Sequence, residues 1–196
     1  MHAENLQSLL DNSGGVLFAK DIAAAGVPNI YLTEFLKQGK LERIDHGVYI
    51  APDALEDRMF VLQNRRSRII YSHDTALFLH DLSDRDPLTY SVTVPTGYNT
   101  KNLSMYGLTV FSIKKELYEV GASTAQTSFS RSVRTYNIER TLCDMLRSRS
   151  RMDGALLPDA LKRYVRRRDK NIPLLMQYAE IFRVEKPLRQ YLEVLL

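Results

Sequence analysis

In the run KRYVRRRDK the cations Arg163, Arg166, Arg167 and Lys170 stand at i, i+3, i+4 and i+7. On a helix, at about 100° per residue, that spacing gathers them on one face. Like charges so placed repel by a few tenths of a kcal/mol per pair, which a phosphate backbone or an acidic protein would relieve. A solvated face with acidic neighbours from elsewhere in the fold is the alternative. Arg147, Arg149 and Arg151 lie close by in sequence and extend the field. A second constellation is the stretch KLERIDHGVYIAP, residues 40–52, where Leu41–Ile44 and Val48–Ile50 flank Asp45-His46-Gly47. It predicts a tight hairpin: Gly47 permits a positive φ, and Pro52 ends the pairing. Arg43 and His46 ride on that hairpin, where they would have a use against a nucleic-acid backbone. A plain cap over a small core would use the same residues.

Other groupings are excluded by spacing. His73-Asp74 and His80-Asp81 repeat after seven residues, which on a helix separates the imidazoles by about 10 Å, too far for one ion. Ser72 and Asp74 serve better as helix caps. Asp84-Arg85-Asp86 has the spacing of a nucleotidyltransferase metal pair, but it precedes Pro87 with no Gly-Ser phosphate loop upstream. G-x-S-x-G, Walker A, H-E-x-x-H and G-x-G-x-x-G are all absent. The lone Cys143 sits among Leu142, Met145 and Leu146, a setting for burial rather than nucleophilic use. Neither catalysis nor a cofactor nor a metal is expected.

The elements that must position these residues follow from periodicity. Residues 1–52 predict helix Ala3–Leu10, a bridging strand Val16–Phe18, helix Ala19–Ala25 stopped by Gly26, helix Ile30–Gln38 capped by Asn29, and the hairpin. In the third helix Leu32, Phe35 and Leu36 face inward, and Ile30, Thr33, Glu34 and Lys37 fall opposite. Helix, strand, helix, helix, hairpin is the order of a winged helix-turn-helix, whose second core helix enters the major groove. Residues 53–196 read as a larger mixed α/β domain. Its elements are helix Leu55–Arg68, strand Ile69–Tyr71, helix Thr75–His80, strands Tyr90–Val94 and Leu108–Ile113, and loop plus strand through Ser123–Ser132 with Arg134–Tyr136. Helices follow from Asn137 into a tail over Leu174–Leu196. The fold class is α+β.

Charge is unevenly spread: residues 1–50 carry net −2, residues 51–130 net −1, and residues 131–196 net +7. A polyanionic partner for the last third is one reading and basic solvated helices are the other. No leader pattern opens MHAENLQSLLDNSGG and no run approaches the roughly 20 apolar residues of a membrane span, so no membrane partner and a cytoplasmic location are expected.

In their order, the segments AKDIAAAGVPNIYLTEFLKQGKLERIDHGVYIAP, YSHDTALFLHDL, VTVPTGYN, IERTLCDMLRSR and ALKRYVRRRDKNIPLLMQYAEIFRV resemble the AbiEi family. These are antitoxins of bacterial abortive-infection, type IV toxin-antitoxin systems. The resemblance runs from about Leu6 to Leu195; the order of its segments and the E-R-T-x-C-D segment at Glu139–Asp144 are fairly specific, whereas the winged-helix piece alone would fit many regulators. It implies a protein that represses its own operon by binding inverted repeats in the promoter, and that neutralises a nucleotidyltransferase-like toxin without a stable complex, as part of phage defence. It places Tyr31, Thr33 and Lys37 on the recognition helix and Arg43 to Gly47 at the wing tip. Relatives often have a cation before the wing glycine, whereas Asp45-His46 stands here, which weakens the expected phosphate contact. The acidic balance of residues 1–50 then suggests that Arg163, Arg166, Arg167 and Lys170 hold the flanking DNA backbone. A dimer and two cooperating monomers both suit inverted repeats. A winged-helix adaptor for an acidic protein or RNA is the competing class. Sequence does not identify the residues of the second domain that counter the toxin.

Overall fold

The computed structural model describes residues 1–195, apart from the side chains at positions 102 and 104; Leu196, the last position of the expected tail, lies outside the described residues. The chain adopts the mixed α and β class read from the sequence. It forms two compact units, Met1–Val61 and Leu62–Leu196.

In the first unit α1 (His2–Asn12), β1 (Val16–Phe18), α2 (Ala19–Ala24), α3 (Asn29–Lys37), β2 (Glu42–Asp45) and β3 (Val48–Ile50) follow one another. The strands form an antiparallel sheet in the order β1-β3-β2. Every residue of β1 and β3 is buried, so this is not a half-solvated sheet with alternating faces. Leu17 and Tyr49 join Leu6, Leu10, Ile22, Val27, Leu32, Phe35 and Leu41 on one side. Val16, Phe18, Val48 and Ile50 pack with Val61 and the half-buried Ala54 and Phe60 on the other. That second layer is why the unit extends to Val61, beyond the Pro52 expected from the hairpin's end. Asp57 starts the covering helix α4 (Arg58–Arg65) by accepting from Phe60 N at 3.0 Å.

α3 begins one residue earlier than expected. Pro28, with φ −63°, is its N-cap, and Asn29 is already helical. Proline's fixed φ supplies the extended residue before the helix, and Asn29 therefore has no capping role.

The second unit contains β4 (Ile70–Tyr71), α5 (His73–Leu79), β5 (Ser91–Pro95), α6 (Lys101–Ser104), β6 (Thr109–Ile113), α7 (Lys115–Tyr118), β7 (Ala122–Gln126), β8 (Ser132–Tyr136) and α8 (Ile138–Arg147). A single 3-10 turn (Arg149–Arg151), α9 (Leu156–Arg166), α10 (Ile172–Ile181) and α11 (Glu185–Leu195) follow. The sheet is mixed, in the order β6-β5-β4-β8-β7. The Ser/Thr run expected as loop plus strand forms a strand followed by a loop over 127–131, and the strand that finishes the pairing starts at Ser132, before the expected Arg134. Ala122–Gln126 pairs antiparallel with Ser132–Tyr136 without a bulge, because threonine suits a pleated edge as well as it suits a loop.

α8 is the axis of this unit. Asn137 caps it by accepting from Arg140 N at 3.0 Å, and all eight residues Glu139–Leu146 are buried. Arg140 is 0% exposed. Its Nε donates to Asp144 Oδ2 at 2.9 Å, and its Nη1 donates to the carbonyls of Leu117 at 2.9 Å and Val120 at 2.6 Å. The guanidinium carbon lies 4.1 Å from the Tyr136 ring centroid and 3.9 Å from that of Phe182. Burial raises the Asp144 carboxyl above its ordinary value, and Arg140 opposes that rise. Glu139 accepts from Tyr164 Oη at 3.0 Å and Asn171 N at 3.3 Å. Cys143 is buried, which pushes its thiol up to about 12. The E-R-T-x-C-D segment is thus an interior polar network. Gly121, at φ +74°, is required beside it, since a Cβ there would stand 2.6 Å from Arg140 Cβ.

Removing one member of a buried pair leaves the other charge without compensation. Arg140→Ala is expected to cost about 3–5 kcal/mol in urea or thermal denaturation, whereas Arg189→Ala, which breaks the exposed pair with Glu185, costs under about 1 kcal/mol.

Candidate nucleic-acid interface

The outer face of α3 presents Ile30, 62% exposed, with Thr33, Glu34 and Lys37 also exposed. Leu32 and Phe35 hold the opposite side in the core. Thr33 donates its hydroxyl to Asn29 O at 3.1 Å, so it sits on the surface with its donor satisfied along the helix. Tyr31 is half-buried, its ring tilted against the His2 imidazole at 5.6 Å. Lys37 lies in the last turn.

At the hairpin tip Gly47 takes φ +69°, a value that suits glycine in a two-residue turn. Its carbonyl accepts from Ala19 N at 2.9 Å. Arg43 and His46, separated in sequence, are brought together: Arg43 Nη2 stands 3.0 Å from His46 Nδ1. A guanidinium only donates, so His46 accepts on Nδ1 and its proton sits on Nε2. Arg43 Nε donates to Asp45 O at 3.2 Å, and Asp45 Oδ1 accepts from His46 N at 2.6 Å. Asp45 Oδ1 therefore engages the backbone of the turn, and Arg43 folds across it.

The basic run is corrected by the structure. α9 ends at Arg166 and Arg167 is extended, with φ −70° and ψ 145°, so Arg167 and Lys170 do not continue the helical face of Arg163 and Arg166. Tyr164 Oη, fixed by Glu139, accepts from Asn171 N at 2.9 Å and turns the chain away. Arg163 makes a two-pronged pair with Asp84, which holds the Asp84 carboxyl below its ordinary value. Arg167 grips both oxygens of Asp169 at 2.8 Å and donates to His80 O at 3.1 Å. Lys170 Nζ donates to Arg167 O at 3.1 Å. Of the four, Arg166 is exposed and makes no ion pair among the described residues.

Sequence reasoning passed over a buried polar chain. His73, expected near a cap, is 3% exposed and has φ +53°. Its Nδ1 meets Ser72 Oγ at 2.9 Å, its Nε2 meets Ser148 Oγ at 3.0 Å, and its ring stacks on Phe111 at 3.5 Å. Ser72 is the N-cap of α5 by backbone only, its side chain making no capping bond. His80 Nε2 bonds Tyr136 O at 2.7 Å. Among the described residues no three His, Cys, Asp or Glu side chains cluster closely enough to hold a metal ion. The signal available in sequence was a histidine between Ser72 and Asp74 directly after an apolar strand. Its distant partners, Phe111 and Ser148, give no local pattern.

Burial, then the charges of Arg140, Arg147 and Arg151, lowers His73 from 6.5 to about 3. The unfolded chain binds a proton near 6.5 and the folded one near 3, so stability from this group is present at neutral pH and falls as pH drops through that window. Between pH 7 and pH 4.5 the expected loss is about 2–3 kcal/mol. Urea denaturation at both values checks it, with His73→Asn, which tolerates positive φ, removing that part of the slope.

Comparison with known proteins supplies the remaining evidence. The chain is similar in fold to the RV2827C protein of Mycobacterium tuberculosis, with a TM-score of 0.58 at 15% identity, covering 91% of this chain and 71% of that one. No curated protein matches in sequence. No described helix is long and apolar enough to cross a membrane. Residues 4–52, which hold α3 and the hairpin, match the family model described as transcriptional regulator, AbiEi antitoxin. Over those residues, about a quarter of the chain, it is similar to the AbiEi antitoxin transcriptional regulators.

Proposed function

We propose that Met1–Val61 is a winged helix-turn-helix that binds inverted repeats in the promoter of its own operon, and that the second unit counters a nucleotidyltransferase-like toxin without a stable complex or catalysis, in the cytoplasm, as a phage-defence antitoxin. The observation that carries the reading is the exposed face of α3 standing in the same unit as a hairpin whose tip joins Arg43 and His46. In this arrangement Thr33 and Lys37 face base edges and Tyr31 steadies the helix. Arg43 and the Nε2–H of His46 meet phosphate or the minor groove.

Electrostatics sets how tightly this grips. Residues 1–61 contain five Lys and Arg against nine Asp and Glu, and nonspecific affinity comes mainly from phosphate neutralisation. Weak binding per site, raised by two units on one repeat pair, is the consequence. Of the four cations of the basic run, Arg166 is the one that holds no ion pair or carbonyl among the described residues. Arg163, Arg167 and Lys170 must first give up Asp84, Asp169 and a carbonyl. The second reading is a winged-helix adaptor for an acidic protein or RNA, and the net +7 of residues 131–196 favours it.

Fluorescence anisotropy with the native upstream duplex and a scrambled one separates the readings. The native duplex is expected to bind tighter, and Lys37→Ala or Arg43→Ala to weaken it about tenfold and to reduce the salt slope by about one each. Arg163→Ala is expected to change little. Equal affinity for both duplexes in low salt ends the operator reading.

A further inference from the structure

Beside the C-terminus of α8 the hydrogen bonds have a direction. Thr93 Oγ1 donates to Ser72 Oγ at 2.9 Å, Ser72 Oγ meets His73 Nδ1 at 2.9 Å, and His73 Nε2 meets Ser148 Oγ at 3.0 Å. Ser72, His73 and Thr93 are all buried. An idle hydroxyl proton in that interior would be an unsatisfied donor, so Ser72 gives its proton to Nδ1. The imidazole then carries its own proton on Nε2 and donates it to Ser148. With that lone pair occupied, half-buried Ser148 turns its O–H away from the interior.

The hydroxyl emerges among cations. Arg147 and Arg151 both act on His73 electrostatically. Arg151 is exposed, with its guanidinium carbon 4.6 Å from the Phe111 ring centroid, on the ring that stacks against His73. It has no ion-pair partner among the described residues. Arg147 reaches Asp144 at 3.6 Å, a carboxylate already held by Arg140 at 2.9 Å, and its guanidinium carbon lies 5.7 Å from the Phe182 ring centroid. Two-pronged pairing of the kind that saturates Arg163 and Arg167 is found at neither arginine among the described residues.

We propose that Arg147, Ser148 and Arg151 form a binding site for a phosphoryl group, with buried His73 as the positioning residue that aims the Ser148 hydroxyl. The site offers donors only: two guanidinium forks that match phosphate oxygens and one oriented O–H. Stacking on Phe111 restrains Arg151 before any ligand arrives, which lowers the ordering cost of binding. Because His73 stays neutral down to about pH 3, the direction of the chain does not reverse at physiological pH. The proposal is independent of the operator reading, since none of these residues belongs to the first unit.

The test uses the full chain labelled with 15N-histidine, titrated with inorganic pyrophosphate while the His73 imidazole resonances are followed. A saturable shift is expected. Arg151→Ala and Ser148→Ala should each weaken it about tenfold, and Ser148→Thr, which keeps the hydroxyl, should retain it. A second titration uses a scrambled DNA duplex. A response to pyrophosphate alone assigns a small phosphorylated ligand, and a duplex response that pyrophosphate displaces assigns a nucleic-acid backbone; either supports the site. No saturable shift with either probe, or a shift undiminished in the folded Arg151→Ala protein, overturns it.

Discussion

A guanidinium with no access to water is the constraint around which the second unit is built. Taking such a charge out of solvent costs several kcal/mol unless every face of it is occupied. Arg140 meets most of that requirement with a carboxylate one turn along α8, two carbonyls around α7, and the rings of Tyr136 and Phe182, while its buried Nη2 makes no hydrogen bond. These partners come from β8, α7, the turn after it and the end of α10. The one interaction therefore fixes how strand, turn and two helices meet, and it explains why a side chain at position 121 cannot be accommodated.

The first unit solves a different problem. A sheet of three short strands gains stability by packing against helices, and here residues 54–61 cover the face that α1, α2 and α3 leave open. With both faces closed, the outer side of α3 and the hairpin tip are free of packing duties. The charged and polar residues there are placed by the scaffold without contributing to its core.

How much of this was legible depended on the range of the interactions. Local signals were read well: Gly26 and Pro28 separating α2 from α3, Gly47 in the hairpin, and the apolar phase of Leu32 and Phe35 all act within a few residues. The same range put Arg43 and His46 on one hairpin, but their contact with each other was not read from it. The basic run misled because phase assumes a continuous helix. What ends α9 is Tyr164 meeting Glu139 and Asn171, contacts that periodicity does not contain. Asp84, set aside as half of an unlikely metal pair, is the partner of a cation 79 residues away. The interior role of Arg140 was equally hidden, since an arginine in a helical pattern is ordinarily read as surface.

The bond from Ala19 N to Gly47 O has a mechanical meaning. With Phe18 in register against Val48, it welds the ribbon's apex to the first turn of α2, and α2 is joined to α3 by a turn of few residues. Helix and apex are thus two prongs of a stiff caliper. A partner engaging both must conform to that gauge, so any adjustment of curvature or groove width falls to the partner.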